Sequence, residues 1–410
     1  IVLAVDSSGR IKGATLGNDV NLRDIEGRSA LLLGKAKDNN GSCAIGPFLR
    51  LFDNTFDLDT IRRCVVKLEV RGQDGFVMRG ESSMKKISYS ILVVALASIS
   101  LAFVATKTPN LLPYHGRSIV FYNVENLFDT ENDSLKNDNE FTPEGHKQWD
   151  KSKYFNKINN LAKVIAASSN TYPDFIGVCE IENEKVLNDL FRHPILQKQN
   201  YQIVHFDSPD SRGIDVGFAY KNNQLKLTGF YVIPLKLPSK RATRDILIVE
   251  GFVPNKKDSV RFVVNHWPSR FGGQKKSEGN RIYAATQLNK ALDSIAKIRV
   301  NYTTIIMGDF NDTPQDKSLQ LLQNNDFTFV QPDISSGIQT IKWQKKWYMY
   351  DGFLVNNKSF KNQMFQSQII QFPWILVEDK KAGLMPFRSF RGHFYQNGFS
   401  DHLPVLLKVQ

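Results

Sequence analysis

The chain has 410 residues, of which 41% are hydrophobic and 23% are charged. This length and composition exclude a wholly disordered or fibrous protein and predict about two to three domains, or one large domain with additions. The formal net charge is +12, and there are three cysteines. The basic balance favours anionic partners such as nucleic acid, phosphate esters or lipid head groups. The cysteines lack paired spacing, which excludes a disulfide framework and a cysteine-based zinc site.

The first segment, residues 1–83, contains the strings GNDVNLRDIEG and GKAKDNNGSCAIGPFL. These strings resemble the fumarylacetoacetate hydrolase family, and the resemblance implies that Asp19 matches a metal ligand and Lys35 an active-site residue. The two glutamate ligands of that family would precede Asp19, where this sequence has none. Because a divalent ion needs about six oxygen ligands, we expect an incomplete, inactive, β-rich partial domain. Residual activity of this fragment is the alternative. The chain begins at Ile1, within a strand-like string, so we expect the sequence to be cut at its N-terminus.

The second segment, residues 84–105, is apolar behind a basic front. Met84, Lys85 and Lys86 precede residues 87–105, which carry no charge. This layout is typical of a bacterial signal peptide, with cleavage expected after Ala102, and the stretch could also span a bilayer as a helix. Either translation starts at Met84, or the chain is a fusion with its first part inside the cell. We expect the rest to be exported, to the periplasm or outside, or membrane-anchored through 87–105 if this segment is not cleaved.

The remaining segment, residues 106–410, alternates predicted strands and helices. Apolar residues recur at helical spacing over 155–165, 183–191 and 282–295. The predicted strands are SIVFYNVENLF, DFIGVCE, YQIVHF, IDVGFAY, DILIVEGF, SVRFVVNHW, YTTIIMGDF, DGFLV and LPVLLKV. Residues 331–346 and 356–387 are predicted as loops or insertions. The strands are too many for one sheet, so we expect an α/β domain of two packed sheets with helices outside.

Polar residues stand repeatedly at the ends of these apolar strands. They are Asn123, Glu125, Glu180, Glu182, Asp215, Asn265, His266, Asp309, Asn311, Asp312, Asp351, Asp401 and His402. Burying such groups is costly unless they are paired, so the pattern predicts a polar site at one edge of the sheets. Oxygen ligands gathered in a basic domain favour Mg²⁺ or Mn²⁺, with Ca²⁺ as a further candidate, over zinc.

Six strings in order identify a family resemblance: NVENLF, CEIEN, SRGIDVGFAY, NHWPSR, GDFND and SDHLPV. Together they resemble the endonuclease/exonuclease/phosphatase superfamily, which has the DNase I-like fold, over about Arg117 to Val409. The resemblance implies a four-layer sandwich of two packed β-sheets flanked by helices. It also implies an enzyme that hydrolyses phosphoester bonds with a metal-bound phosphate and an activated water.

Roles follow from the resemblance residue by residue. Glu180 matches the metal-binding glutamate, with Asn123 beside it as a metal or phosphate contact, and Asp401 can contribute to the metal. Asp309 and Asn311 match the pair that positions the water and steadies the phosphoryl oxygens.

Two histidines and an arginine complete the matched set. His402 matches the C-terminal histidine, and Asp351 the aspartate that orients it. His266 matches a second histidine, a candidate acid for the leaving oxygen, with Asp215 as its possible partner. Arg270, which follows His266 closely, is expected to contact phosphate.

Simpler interpretations stand beside these roles. Glu182 and Asp312 are expected to favour helix N-termini, His205 to be a sheet or core histidine, and Cys179 to be buried packing. The expected activity is that of a nuclease or phosphodiesterase acting as a monomer. Residues 106–410 carry a net charge of +9, which suits a polyanion such as nucleic acid. A non-catalytic binding or membrane-attached module on the same fold is the alternative.

Overall fold

The computed structural model divides the chain into two compact units, Ile1–Asn110 and Leu111–Gln410. It describes residues 2–5, 11–15, 17–19, 43–45, 49–63, 65–71, 77–83, 116–254 and 258–410. Lys35 and the apolar segment 84–105 lie outside the described residues. Over the described ranges, no helix combines the length and apolar character needed to cross a bilayer.

The first unit is built mainly of strands over its described residues. They are β1 (Val2–Val5), β2 (Ile11–Thr15), β3 (Gly17–Asp19), β4 (Cys43–Ile45), β5 (Arg50–Leu51), β6 (Val65–Arg71) and β7 (Val77–Ser83), with one helix, α1 (Leu58–Arg63). The strands form one three-stranded sheet, β1-β2-β5, and two two-stranded sheets, β3-β4 and β6-β7. Asp19 lies in β3, opposite Cys43.

The second unit contains the longer elements. Its helices are α2 (Lys151–Ala167), α3 (Glu184–Phe191), α4 (Gln274–Ile298), α5 (Lys317–Gln323) and α6 (Asn357–Asn362). Its first strands are β8 (Arg117–Leu127), β9 (Phe175–Ile181), β10 (Tyr201–His205), β11 (Asp215–Lys221), β12 (Lys226–Ile233), β13 (Ile246–Val253), β14 (Asp258–His266), β15 (Tyr302–Asp309) and β16 (Phe327–Phe329). The rest are β17 (Ile341–Trp343), β18 (Lys346–Tyr348), β19 (Asp351–Asn356), β20 (Phe365–Ile369), β21 (Leu376–Asp379), β22 (Gly383–Pro386), β23 (Phe390–Arg391), β24 (Phe394–Tyr395) and β25 (Val405–Val409).

Two six-stranded mixed sheets form the centre of this unit. The first has the order β10-β11-β9-β8-β25-β20, and the second has the order β12-β13-β14-β15-β19-β16. β8 and β9 are parallel, as are β14 and β15, so each sheet has two neighbouring strands that end at the same edge. This arrangement fits the α/β, DNase I-like fold expected from the sequence.

The core lies between the sheets and under the outer helices. Phe262 of the second sheet packs against Phe175 and Phe218 of the first, with ring centroids 4.6 and 4.8 Å apart. The neighbouring Val263 faces the other way and belongs to the cluster that also contains residues of α2 to α5. This alternation follows from the pleat of a strand, whose successive side chains point to opposite faces.

The strands and helices predicted for residues 106–410 are present, but two predicted loops are wrong. The stretch 331–346 contains β17 and the start of β18, and 356–387 contains α6, β20, β21 and β22. β20 pairs with β25 and extends the first sheet. Its sequence FQSQI carries few apolar residues because it is an edge strand, which explains why hydrophobic periodicity missed it.

Candidate active site

Polar residues at strand ends of the first sheet contact polar residues at strand ends of the second sheet. In the second sheet, the parallel register of β14 and β15 sets His266 opposite Asp309, and the antiparallel register of β15 and β19 sets Asp309 opposite Asp351. In the first sheet, Asn123 of β8 lies opposite Cys179, the residue before Glu180. Register therefore gathers residues that are far apart in the sequence.

Asn123 connects the two sheets. Its Nδ2 donates to Asp309 Oδ2 at 3.0 Å and to Glu180 Oε1 at 3.4 Å. Its Oδ1 accepts from the backbone N–H of Glu125, so the amide is held on both sides. Asn123 is buried, and its bonds to Glu180 and Asp309 join a strand of each sheet.

Two histidines flank the Asp309 carboxylate. The Nε2 atom of His266 lies 3.7 Å from Asp309 Oδ2 and 3.8 Å from Glu180 Oε1. The Nε2 atom of His402 lies 3.8 Å from Asp309 Oδ2. The structure thus brings together Asn123, Glu180, His266, Asp309 and His402.

Asp351 holds His402 and sets its charge. The Nδ1 atom of His402 lies 2.7 Å from Asp351 Oδ2. Burial opposes protonation of His402, but the carboxylates of Asp351 and Asp309 outweigh it and hold the pKa of His402 well above its ordinary value. The protonated form of His402 is therefore favoured, with Nε2 3.8 Å from Asp309 Oδ2.

His266 has the opposite charge state. Burial, together with the nearby Arg244 guanidinium, lowers the pKa of His266 well below its ordinary value. Its Nδ1 atom is buried and has no hydrogen-bond partner among the described residues. His266 is therefore neutral in the free protein, and an acid role at the leaving oxygen requires an anionic substrate that raises its pKa.

The pKa of Asp309 lies close to neutral pH. Burial, followed by repulsion from Asp351, raises the pKa of Asp309 to about 7. A carboxyl group with this pKa can exchange a proton with a bound water near neutral pH.

Four site residues have φ angles in the left-handed region: Glu125 at 50°, Asn126 at 52°, Glu180 at 64° and Asn311 at 51°. Asparagine tolerates this region, whereas glutamate rarely adopts it. Glu180 Oε2 accepts from the backbone N–H of Asn126, and Asn311 N donates to Asp309 Oδ1 at 2.9 Å. Such strain persists where the surrounding structure requires it, often at functional sites.

Arg270 differs from the expectation of a phosphate contact. Its NH2 atom donates to Asp312 at 2.9 Å and to Asp316 at 2.7 Å, and its Nε donates to the carbonyl of Asn311 at 2.8 Å. Two carboxylates already neutralise the guanidinium, which also lies over the Tyr350 ring. Arg270 holds the Asn311 loop in place, and phosphate would have to compete with both carboxylates.

Asp215 does not form the expected pair with His266. It lies 3.1 Å from His205 Nε2 and accepts from the Ser208 hydroxyl and from the Ser208 backbone N–H. The expected pairing with His266 is therefore wrong. His205, expected to be a sheet or core histidine, is the actual partner.

Asp401 stands beside a group of charges that sequence reasoning did not assign. Arg388 NH2 lies 3.1 Å from Asp401 Oδ2 and 2.9 Å from Glu125 Oε1. Lys157, on the buried face of α2, lies 3.9 Å from Glu125, and burial lowers its pKa to about 8. Arg388 thus already forms an ion pair with Asp401, which the sequence predicted as a contributor to the metal site. The spacing of Lys157 between Tyr154 and Leu161 was a sequence signal, because these residues share a helix face.

The simpler interpretations have mixed outcomes. Cys179 is fully buried packing, as expected. Asn183, not Glu182, caps α3, and Glu182 instead accepts from the backbone N–H of Asp129. Asp312 does not cap α5. It pairs with Arg281 at 2.8 Å and accepts from Ser318.

The donors at this edge fit a hard divalent cation. Glu180 and Asp309 offer carboxylate oxygens, the ligands that Mg²⁺ and Mn²⁺ prefer, whereas Asn123 directs its Nδ2 at both carboxylates. Asp309, Asp351 and His402 offer ligand atoms within 4.8 Å of one another, and Asp351 Oδ1 is buried without a hydrogen-bond partner among the described residues. A cation would relieve the repulsion that raises the pKa of Asp309.

No curated protein matches the sequence significantly. One similar solved structure is an endonuclease/exonuclease/phosphatase family protein from Bacteroides thetaiotaomicron, at 14% identity over 72% of this chain and 97% of that chain, with a TM-score of 0.49. Another is the mannosyl-6-phosphatase of Bacteroides thetaiotaomicron, at 15% identity over 72% and 99% of the chains, with a TM-score of 0.47. A third is the human Nocturnin catalytic domain with bound sulfate, at 15% identity over 72% and 95%, with a TM-score of 0.44.

The family match carries the assignment. Residues 118–410 match the endonuclease/exonuclease/phosphatase family, whereas the fumarylacetoacetate hydrolase resemblance of residues 1–83 has no support from these comparisons. Members of the matched family are hydrolases of phosphoesters, include phosphatases, nucleases and phosphodiesterases, and generally use divalent metals. The chain belongs to the endonuclease/exonuclease/phosphatase family.

Proposed function

We propose that this protein is a divalent-metal-dependent phosphoester hydrolase, with nuclease or phosphodiesterase activity. The observation that carries the proposal is the convergence of Asn123, Glu180, His266, Asp309 and the His402–Asp351 pair on one edge of two sheets. Burial and the Asp351 charge raise the pKa of Asp309, and perturbed carboxyl groups between two histidines are typical of catalytic sites rather than of binding modules.

Each side chain has a part in hydrolysis. Asp309, oriented by the backbone N–H of Asn311, accepts a proton from the attacking water. The His402 imidazolium, fixed by Asp351, donates to the phosphoryl oxygens as their negative charge develops. Neutral His266 donates a hydrogen bond to the phosphate or the leaving oxygen, and its pKa rises when the anion binds.

Glu180 and Asn123 are the residues that would hold Mg²⁺ or Mn²⁺, with Asp401 as a further candidate if Arg388 yields its carboxylate. A cation there neutralises charge that develops on the phosphoryl group. Asn123 would bind the cation through Oδ1, which now accepts from the backbone N–H of Glu125, so its amide would have to turn away from the two carboxylates.

The test is a substrate panel assayed with the full chain. Plasmid DNA, RNA, sphingomyelin and bis(p-nitrophenyl) phosphate are supplied with Mg²⁺ or with EDTA. We expect metal-dependent turnover of at least one substrate. Asp309→Ala and His402→Ala should each lower kcat by at least about 10²-fold. Folded protein that turns over none of the substrates would overturn the proposal.

Matched variants separate chemistry from general damage. Asp326→Asn is the control for Asp309→Asn, because Asp326 is exposed and its φ of 69° is one that Asn tolerates. His393→Gln is the control for His402→Gln, because His393 is exposed. Equal loss in a site variant and its control would show that the assigned residues do not carry the reaction.

We also propose that residues 106–410 form the catalytic domain and are exported, with 84–105 as the signal or anchor and 1–83 as a separate fragment. The basic front and uncharged run of 84–105 support export. Mass spectrometry of the natural product tests this arrangement. A mature N-terminus near Phe103 is expected for cleavage after Ala102, and a product that retains residues 1–83 outside the cell would contradict it.

A further inference from the structure

Two polar side chains of α2, Lys157 and Asn160, are buried against the loop that precedes His402. They are 1% and 9% exposed, on a helix whose other buried residues are mostly apolar. Burying an ammonium group is costly unless it is paired and hydrogen-bonded. Neither side chain takes part in the hydrolysis proposed for this site, so their burial has to be explained by what they hold.

Both side chains donate to the backbone of one loop, residues 397–399. Nδ2 of Asn160 donates to the carbonyls of the first two residues at 3.1 and 3.0 Å. Nζ of Lys157 donates to the carbonyl of the third, Phe399, at 2.5 Å. His402 follows Phe399 by three residues. α2 therefore holds all three backbone acceptors of the loop that leads into His402.

The opposite side of the loop is closely packed. The backbone N–H of Phe399 donates to the carbonyl of Phe387 at 2.6 Å. A Cβ atom at Gly398 would collide with the carbonyl oxygens of Phe387 and Arg388. The loop is thus held between α2 and the segment 387–388, and its position depends on both.

The hydroxyl of Ser400 links this loop to the site. Ser400 Oγ donates to the carbonyl of Asn123 at 2.7 Å and accepts from the backbone N–H of His402 at 3.1 Å. Ser400 is buried and directly follows Phe399, whose carbonyl Lys157 holds. A shift of that carbonyl would therefore move Ser400, and with it the placement of His402 relative to Asn123.

Lys157 also connects the loop to β8. Its Nζ donates to Ser389 Oγ at 2.6 Å and lies 3.9 Å from Glu125 Oε2. The same Glu125 oxygen accepts from the backbone N–H of Ser389 at 2.7 Å. Glu125 follows Asn123 by two residues, and its backbone N–H donates to Asn123 Oδ1. One ammonium group thus joins the segments that carry Asn123 and His402.

We propose that Lys157 and Asn160 are positioning residues, which hold the 397–399 loop so that His402 keeps its place beside Asn123 and Asp309. The inference rests on the proposed function, because it adds two side chains to the same reaction. Lysine suits this place because its ammonium group has three donors, and here they face three separate segments. An apolar side chain would leave the loop carbonyl and the Glu125 carboxylate without this partner, which is costly in a buried place.

The test compares Lys157→Met and Asn160→Leu with controls that remove similar bonds elsewhere. Lys221→Met is the control for Lys157→Met, because Lys221 is also a buried lysine that donates to two backbone carbonyls and a carboxylate, beside the start of β9. Asn289→Leu is the control for Asn160→Leu, because Asn289 of α4 donates its amide to a backbone carbonyl of α5.

Steady-state kinetics use the full chain with Mg²⁺ and the substrate of the panel that the wild type turns over fastest. Lys157→Met and Asn160→Leu should each lower kcat at least about tenfold with little change in KM, because a misplaced His402 weakens the transition state more than the ground state. Both controls should keep kcat within about twofold of the wild type. Urea denaturation should show a similar loss of stability in Lys157→Met and Lys221→Met, which separates positioning from general damage.

The inference is overturned, with the proposed function left in place, if the two α2 variants have the same kcat as their controls. If Lys157→Met does not fold, the comparison of Asn160→Leu with Asn289→Leu decides alone.

A spectroscopic measurement keeps the two proposals distinguishable. In protein labelled with ¹⁵N-histidine, the ring signals of His402 are those absent from His402→Gln. Lys157→Met should shift these signals, and Lys221→Met should leave them in place. If the wild type hydrolyses none of the panel, the proposed function fails, and this comparison still tests whether α2 positions His402. Identical His402 signals in Lys157→Met and the wild type overturn the inference.

Discussion

At the scale of single residues, the charge states of the two histidines distinguish their roles. The carboxylates of Asp351 and Asp309 raise the pKa of His402, whereas burial and Arg244 lower the pKa of His266. Under the proposed function, one histidine would act as a cation beside Asp309 and the other as a neutral hydrogen-bonding group.

Asp351→Asn should change the pH dependence of hydrolysis. The charge of Asp351 raises the pKa of His402, so its removal lowers that pKa, and His402 loses its proton at a lower pH. We expect the alkaline limb of the kcat profile to move to lower pH and kcat at neutral pH to fall. Rates measured across the pH range at saturating Mg²⁺ check this. An alkaline limb at the wild-type position would show that His402 is not the group that titrates.

Arg270→Gln separates a positioning role from phosphate binding. Arg270 holds the carbonyl of Asn311 and two carboxylates. We expect kcat to fall roughly tenfold to a hundredfold with little change in KM, because a misplaced loop weakens the transition state. Steady-state kinetics provide both constants. A raised KM with the wild-type kcat would instead favour the phosphate contact first expected from the sequence.

The residue types at the site were predictable from the sequence, whereas several partners were not. Glu180, Asp309 and His402 were found because polar residues that end apolar strands are costly without a use. The partner of Asp215 depends on the register of β10 and β11, which sets His205 opposite Gly217, two residues along. The partners of Arg270 depend on a loop that no periodicity describes.

At the scale of elements, close packing of neighbouring strands fixes the site. β14 and β15 run side by side up to His266 and Asp309, and Gly308 lies at the end of that contact. A Cβ atom at Gly308 would lie 2.6 Å from the carbonyl oxygen of Asn265. The backbone cannot move away there without displacing His266 and Asp309.

Gly308→Ala should therefore destabilise the fold and misplace the site. Overpacking of this kind costs about 1–3 kcal/mol, and we expect the free energy of unfolding to fall by this amount, with a loss of kcat. Urea denaturation of the variant and the wild type gives the difference. The matched control is Gly229→Ala in β12, where a Cβ would meet nothing within 4 Å. Equal stability of the two variants would contradict the close approach.

Two of the strands that sequence patterns missed lie at sheet edges. β12 alternates exposed and half-buried residues at the edge of the second sheet, so it has no fully buried face despite its apolar residues. β20 is the corresponding edge of the first sheet. Periodicity finds strands that are buried on a face, and it weakens where solvent covers one side.

At the scale of the whole molecule, the net charge of residues 106–410 is positive, whereas the proposed site is rich in acidic groups. The net charge is +9, a balance that favours anionic partners. The net charge could be read from the sequence directly, and the acidic site was indicated by polar residues at strand ends. The ion pairs around Asp401 were not predictable, because Arg388, Glu125 and Lys157 come from separate segments that only the tertiary structure brings together.

The Mg²⁺ activation curve of the wild type and of Glu180→Gln tests the central claim most directly. We predict that EDTA abolishes hydrolysis and that Mg²⁺ restores it. Glu180→Gln should need at least about tenfold more Mg²⁺ for half-maximal rate, because it loses a carboxylate ligand. Full activity in EDTA, or the same half-activating concentration in both proteins, would contradict the assignment of this edge as a metal-dependent phosphoester hydrolase site.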